Sequence, residues 1–192
     1  MPDPNWSTQF NFSQTPETNG FTRQVYGTPV IQEVTSGSQA NRRVEINTDA
    51  GSVVWGTTQV PSLDPTIGCT LEYVCNCTGT GNAGIELTFL SRVVAVQVYA
   101  AEVRFYTVQD GVEPPPPTIV LTTANSANTT IRVTFDSSNN VRVYRNGTLI
   151  IGPQAVPVAV KPFQRVLWWA EEGGVQTFRT IKVWLGGAMA PG

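Results

Sequence analysis

The sequence predicts an all-β protein, an antiparallel sandwich or barrel, and three observations carry this. About a dozen short segments rich in β-branched and aromatic residues follow one another, separated by turn residues. Charged residues make up only 14% of the chain while Thr, Val, Asn, Gly and Pro are abundant, a mixture that favours strands and turns over helices. No stretch shows convincing 3.6-residue periodicity. At 192 residues the chain is long enough for one domain with a substantial core, and too short for two comfortable ones.

Taken in order, the first segment is polar and turn-rich, with Pro2, Pro4 and Pro16 and scattered aromatics. It reads as an extended N-terminal arm over residues 1–24, leaving 25–192 as a single sandwich domain. Its aromatics, Trp6, Phe10, Phe12 and Phe21, have no alternation long enough to bury them in a sheet of their own. They are therefore expected to anchor a contact with another protein. Strand signals follow in "TPVIQEVT", "RRVEINT" and "SVVWGTTQV".

The next strand, "GCTLEYVCNC", carries all three cysteines. With a period of two, Cys69, Leu71, Tyr73, Cys75 and Cys77 share one apolar face while Thr70, Glu72, Val74 and Asn76 share the other. Cys75 and Cys77 are about 7 Å apart along such a strand, at or past the limit of an unstrained disulfide. A zinc site would need a second cysteine pair or histidines, and the chain has no histidine. The cysteines read as small buried hydrophobes, and an odd thiol count suggests folding in a reducing compartment.

Beyond "GTGNAG", read as a hairpin connection, come "GIELTFL", "RVVAVQVYA", "EVRFYTV" and "TIVLTT". The run Pro114 to Pro117 cannot continue a ladder and reads as an extended crossing or solvent loop. "TIRVTF" and "VRVYR" are joined by "DSSNN", and "VRVYR" and "TLIIG" by Asn146-Gly147, the strongest short hairpin signal. The chain closes with "FQRVLWWA", the "EEGG" turn and "FRTIKVWLG". In "VLWWA" Trp168 and Trp169 point to opposite faces, so one fills the core while the other is exposed or lies against a neighbour. Trp184, out of step with Ile181, Val183 and Leu185, is expected to share that outer face.

The segments "TTIRVTFDSSNNVRVYRNGTLIIG" and "PFQRVLWWAEEGGVQTFRTIKVWLGG" resemble the closing half of a concanavalin A-like (laminin G-like) jelly roll, and "GCTLEYVCNC" with "GIELTF" resembles an earlier core pair. The match covers about residues 25–187. It implies a two-sheet jelly-roll sandwich, and a choice among glycosidases, calcium lectins, sugar-binding modules, adhesion domains and virion proteins. The alternating acids of the glycosidases are absent, and Glu171-Glu172 is the one adjacent acidic pair, in a glycine turn. Without histidine there is no Ser-His-Asp or Cys-His nucleophile, and no phosphate-binding glycine loop is present. The expectation is therefore a protein that is not an enzyme and needs no cofactor. Asp49, Asp64, Asp110 and Asp136 are the loop carboxylates able to ligate calcium, although no Asp-x-Asp-x-Asp run occurs.

A net charge of −2 gives no footprint for nucleic acid or an anionic membrane, and no apolar run is long enough to span a bilayer. "MPDPNWSTQF" lacks the regions of a signal peptide, so synthesis in the cytoplasm is expected. Five Asn-x-Ser/Thr sequons, at Asn5, Asn11, Asn76, Asn128 and Asn146, are read as composition. Two functional expectations remain. One is an oligomeric virion-surface protein, such as a capsid decoration or cement protein, acting through contacts with other capsid proteins. The alternative is an extracellular carbohydrate-binding module or lectin-like adhesion domain, with Trp168, Trp169, Trp184 and Tyr144 as the candidate sugar-binding or interface aromatics.

Overall fold

The computed structural model describes residues 6, 8–57, 68–89, 92–109, 119–122, 125, 128–155, 163–188 and 190–191. Asp64, Asp110, Asn5 and the Pro114–Pro117 run lie outside them. The described residues form strands and turns with no helix: β1 (Thr8–Phe10), β2 (Thr22–Gly27), β3 (Val30–Val34), β4 (Arg43–Asn47), β5 (Gly51–Thr57), β6 (Cys69–Cys77), β7 (Asn82–Phe89) and β8 (Arg92–Tyr99), followed by β9 (Glu102–Gln109), β10 (Ile119–Thr122), β11 (Thr129–Phe135), β12 (Asn140–Arg145), β13 (Thr148–Ala155), β14 (Phe163–Glu171) and β15 (Val175–Trp184).

Two antiparallel sheets make a sandwich. Sheet I runs β13-β12-β11-β6-β15-β4-β3, and sheet II runs β10-β9-β8-β7-β14-β5-β2. The cysteine strand behaves as its alternation predicts. Cys69, Leu71, Tyr73, Cys75 and Cys77 are buried in the core, and all three thiols are unpaired. The Asn146-Gly147 hairpin is also as expected, with φ of 47° and 84° at its two central residues.

The reading of residues 1–24 as an arm is corrected. β1 pairs with β15 (Thr8↔Val183, Phe10↔Ile181) beyond the point where β4 stops, so it completes that side of sheet I. β2 is one edge strand of sheet II. Phe10, Phe12 and Phe21 are buried in the chain's own core, where Phe12 and Phe21 lie 5.6 and 5.7 Å from Trp168 and Phe10 packs 4.5 Å from Phe21. Three-residue pairing and a positive φ of 52° at Phe12 leave no alternation in the sequence to reveal them. They cannot serve as anchors for another protein, because their area is already spent on this sandwich.

Trp6 is also engaged within the chain. It lies on the outer face of sheet I, 5.4 Å from the Arg132 guanidinium and 5.2 Å from Lys182 Nζ. Both cations bind Glu72, at 2.7 and 3.0 Å, in a cluster spanning three neighbouring strands. The C-terminal segment reaches the same face, where Thr70 Oγ1 donates to Gly187 O at 2.8 Å.

One turn also differs from the sequence reading. "GTGNAG" is not a hairpin: it carries the chain from β6 in sheet I to β7 in sheet II, and "EEGG" carries it back from β14 to β15. The β2–β3 and β4–β5 connections cross between the sheets as well. A hairpin and a crossing have the same local turn chemistry, so only strand pairing separates them.

Candidate functional site

The four crossings meet at one end of the sandwich and are tied to one another. Gly174 N donates to Asp49 Oδ1 at 2.6 Å, Gly173 N to Thr48 Oγ1 at 3.0 Å, Thr80 Oγ1 to the Glu172 carbonyl at 2.7 Å, and Thr28 N to the Ala50 carbonyl at 2.9 Å. The closeness depends on glycine. At Gly174, with φ of +80°, an added Cβ would sit 2.0 Å from Thr78 O. Glu172 also holds a positive φ, 72°, a conformation that costs a non-glycine residue energy and clusters at functional sites. Between the turns is an open cleft of about 600 Å³, lined by Tyr26, Thr48, Asp49, Ser52, Thr80, Glu171 and Glu172 together with Gly27, Gly51 and Gly173.

The cleft adjoins the outer face of sheet II through Glu171. Trp168 points inward and is completely buried, stacked on its cross-strand partner Trp55 with centroids 4.1 Å apart and planes 10° from parallel. Trp169 points outward and is half-buried. Its cross-strand partner in β7 is Gly84, and a Cβ added there would lie 2.1 Å from Trp169 Cε2 and 2.6 Å from Cδ2. The indole therefore lies against bare backbone, in space that any side chain at 84 would fill.

A hydrogen-bond network fixes this ring. Glu171 Oε1 accepts from Trp169 Nε1 at 2.9 Å, Gln97 Nε2 at 3.3 Å and Asn82 Nδ2 at 3.4 Å. Next to it the Tyr99 hydroxyl donates to Glu172 Oε2 at 2.9 Å and accepts from Arg104 NH1 at 2.9 Å, while the Arg104 guanidinium lies 4.1 Å over the Tyr99 ring. Burial and the Glu172 carboxylate, opposed by Arg104, hold the Tyr99 phenol above its usual pKa, so it remains an O–H donor at neutral pH.

The sequence-predicted aromatics are thus divided. Trp168 is a core residue and is removed from the candidate site. Trp184 does not share a face with Trp169: it lies on sheet I, half-buried over Gly186. Tyr144, also on sheet I, borders a second, smaller pocket of about 230 Å³ with Glu72, Arg132 and Asn146. Sequence reasoning missed Gly84, Gln97 and Tyr99, which come from three strand positions with no motif between them. Of the proposed calcium carboxylates, Asp49 borders the cleft, whereas Asp136 accepts bonds from Ser138 N, Asn140 N and Arg142 in its own turn. Among the described residues no group of three or more His, Cys, Asp or Glu side chains is arranged to hold a metal ion. Asn11, Asn128 and Asn146 use their side-chain oxygens within the chain, accepting from Ser13 N, Arg179 Nε and Thr130 N.

This is the architecture of a lectin-like jelly roll. The chain is similar in fold to a protein of unknown function with a galectin-like fold from Bacillus subtilis (TM-score 0.67, 7% identity, 98% of this chain and 99% of that one). It is similar as well to the carbohydrate recognition domain of Emp46p in a potassium-bound form (TM-score 0.67, 10% identity, 93% and 96% coverage). A botulinum neurotoxin serotype G binding domain matches at TM-score 0.57 and 10% identity, over 88% of this chain and 44% of that one. At these identities the likeness establishes the fold. No protein-family model matches the chain, and no curated protein matches it in sequence.

Proposed function

We propose that the chain is a non-catalytic, lectin-like domain that binds carbohydrate on the outer face of sheet II and in the adjoining cleft. The observation that carries this is the Trp169 indole, held against Gly84, tied at Nε1 to Glu171 and left partly open beside a polar cleft. A fixed, flat aromatic surface stacks on the C–H face of a sugar ring, and the neighbouring carboxylates accept its hydroxyls. Similarity in fold to carbohydrate recognition domains supports the same reading.

Assembly on a virion surface has no such support. The anchors it relied on are in the core or, for Trp6, held by Arg132 and Lys182. A glycan microarray probed with the full chain tests the proposal. Selective binding is expected, with at least about tenfold loss in Trp169→Ala at unchanged far-ultraviolet circular dichroism, equivalent to about 1.4 kcal/mol. A Trp169→Ala protein that binds as tightly as the wild type would overturn it.

A further inference from the structure

Each of the three carboxylates lining the cleft is anchored through one oxygen. Glu171 uses Oε1 for Trp169, Gln97 and Asn82. Glu172 uses Oε2 for the Tyr99 hydroxyl, and Asp49 uses Oδ1 for Gly174 N. Their remaining oxygens, Glu171 Oε2, Glu172 Oε1 and Asp49 Oδ2, take no hydrogen bond from the described residues. Among the described residues, no Lys or Arg lines the cleft. The threonine hydroxyls turn their donors inward, Thr80 to the Glu172 carbonyl and Thr48 to Gln176 Oε1 at 2.9 Å. Apart from the Ser52 hydroxyl, the hydroxyl donors lining the cleft are thus directed to other groups of the chain, Tyr26 to Gln24 Oε1 among them, and what faces a ligand is acceptor-rich.

From this we infer that the cleft selects sugars rich in hydrogen-bond donors, neutral or amine-bearing, and rejects sialylated, sulfated and uronate-containing glycans. The inference rests on the carbohydrate reading and adds the charge class of the ligand. A hydroxyl or ammonium group completes the open carboxylate oxygens, whereas a ligand carboxylate or sulfate finds few donors and meets up to three like charges. Because the cleft is open to solvent, each repulsion is modest, and together they amount to roughly a tenfold penalty at low salt.

The test compares neutral glycan cores with their sialylated, sulfated and uronate derivatives, and with de-N-acetylated amino derivatives, by microarray and titration calorimetry at low and high salt. For any core that binds, its anionic derivative should bind roughly tenfold more weakly, and its amino derivative at least as well. The anionic penalty should shrink at high salt and in Asp49→Asn/Glu172→Gln, whose amide oxygens still accept from Gly174 N and Tyr99. Anionic derivatives that bind as well as the core, or a penalty indifferent to both salt and the double substitution, would sink the charge inference. Loss of binding in Trp169→Ala would meanwhile keep the carbohydrate reading standing. Absence of binding to every glycan would overturn both.

Discussion

The Trp169 indole occupies the space in which a Cβ of Gly84, its cross-strand partner, would lie. Adding that methyl group must lift or tilt the ring. Gly84→Ala is therefore expected to weaken carbohydrate binding as strongly as Trp169→Ala while costing about 1–3 kcal/mol through local overpacking. Near-ultraviolet circular dichroism of the tryptophans, with the glycan titration, checks this; normal affinity in Gly84→Ala would show that the ring's posture is irrelevant.

Adjacent tryptophans should give opposite results. Trp168→Ala opens a cavity among Trp55, Phe12, Phe21 and Phe178 and is expected to cost about 3–5 kcal/mol. Trp169→Ala forfeits a partly exposed ring and one hydrogen bond, about 1 kcal/mol. Urea denaturation of both variants measures the difference.

Deleting residues 1–20 is expected to unfold the domain. It removes β1 and the buried rings of Phe10 and Phe12, each worth about 3–5 kcal/mol against a total stability of about 5–15 kcal/mol. By contrast, Trp6→Ala should cost no more than about 1 kcal/mol, the scale of a partly solvated cation–π contact. Retention of the native circular dichroism spectrum by the truncated chain would contradict this packing.

The thiols should be inert in the native state. Burial pushes the Cys69 thiol up to about 12, and Cys75 is raised well above its usual value by its hydrogen bond with Cys77 and by burial. Folded values above the unfolded ones mean that the associated stability is complete below about pH 8.5 and is lost as pH climbs toward the folded values. A chromogenic disulfide reagent should therefore detect no rapidly reacting thiol at neutral pH, and all three cysteines in guanidinium chloride. Fast native reaction would mean that the strand opens readily.

Asp136 gives the opposite pH signature. Burial alone would raise its carboxyl, but bonds from Asn140 N, Arg142 and Ser138 N bring it below the usual carboxylate range. Its contribution is present above the unfolded value of about 3.9 and disappears as pH falls through the folded one. Thermal melts of wild type and Asp136→Asn should differ most at neutral pH and converge in acid; a constant gap across that range would argue against the carboxylate.

By itself the sequence determined the all-β class and the facing of particular strands. Alternation in "CTLEYVCNC" placed its cysteines inward because side chains on a strand alternate between faces, and Asn146-Gly147 specified its hairpin because few residues tolerate positive φ at both central positions. The same alternation sent Trp168 and Trp169 to opposite sides without saying which was inside. That choice depended on which face of β14 met sheet I, a pairing between residues far apart in the chain. Only tertiary structure put Phe10 and Phe12 into the core, since three paired residues and one left-handed turn carry no periodic signal. It alone also brought Asp49, Tyr99, Glu171 and Glu172 together, because crossings between sheets converge through long-range strand pairing, whereas turn residues encode only the local reversal of the chain.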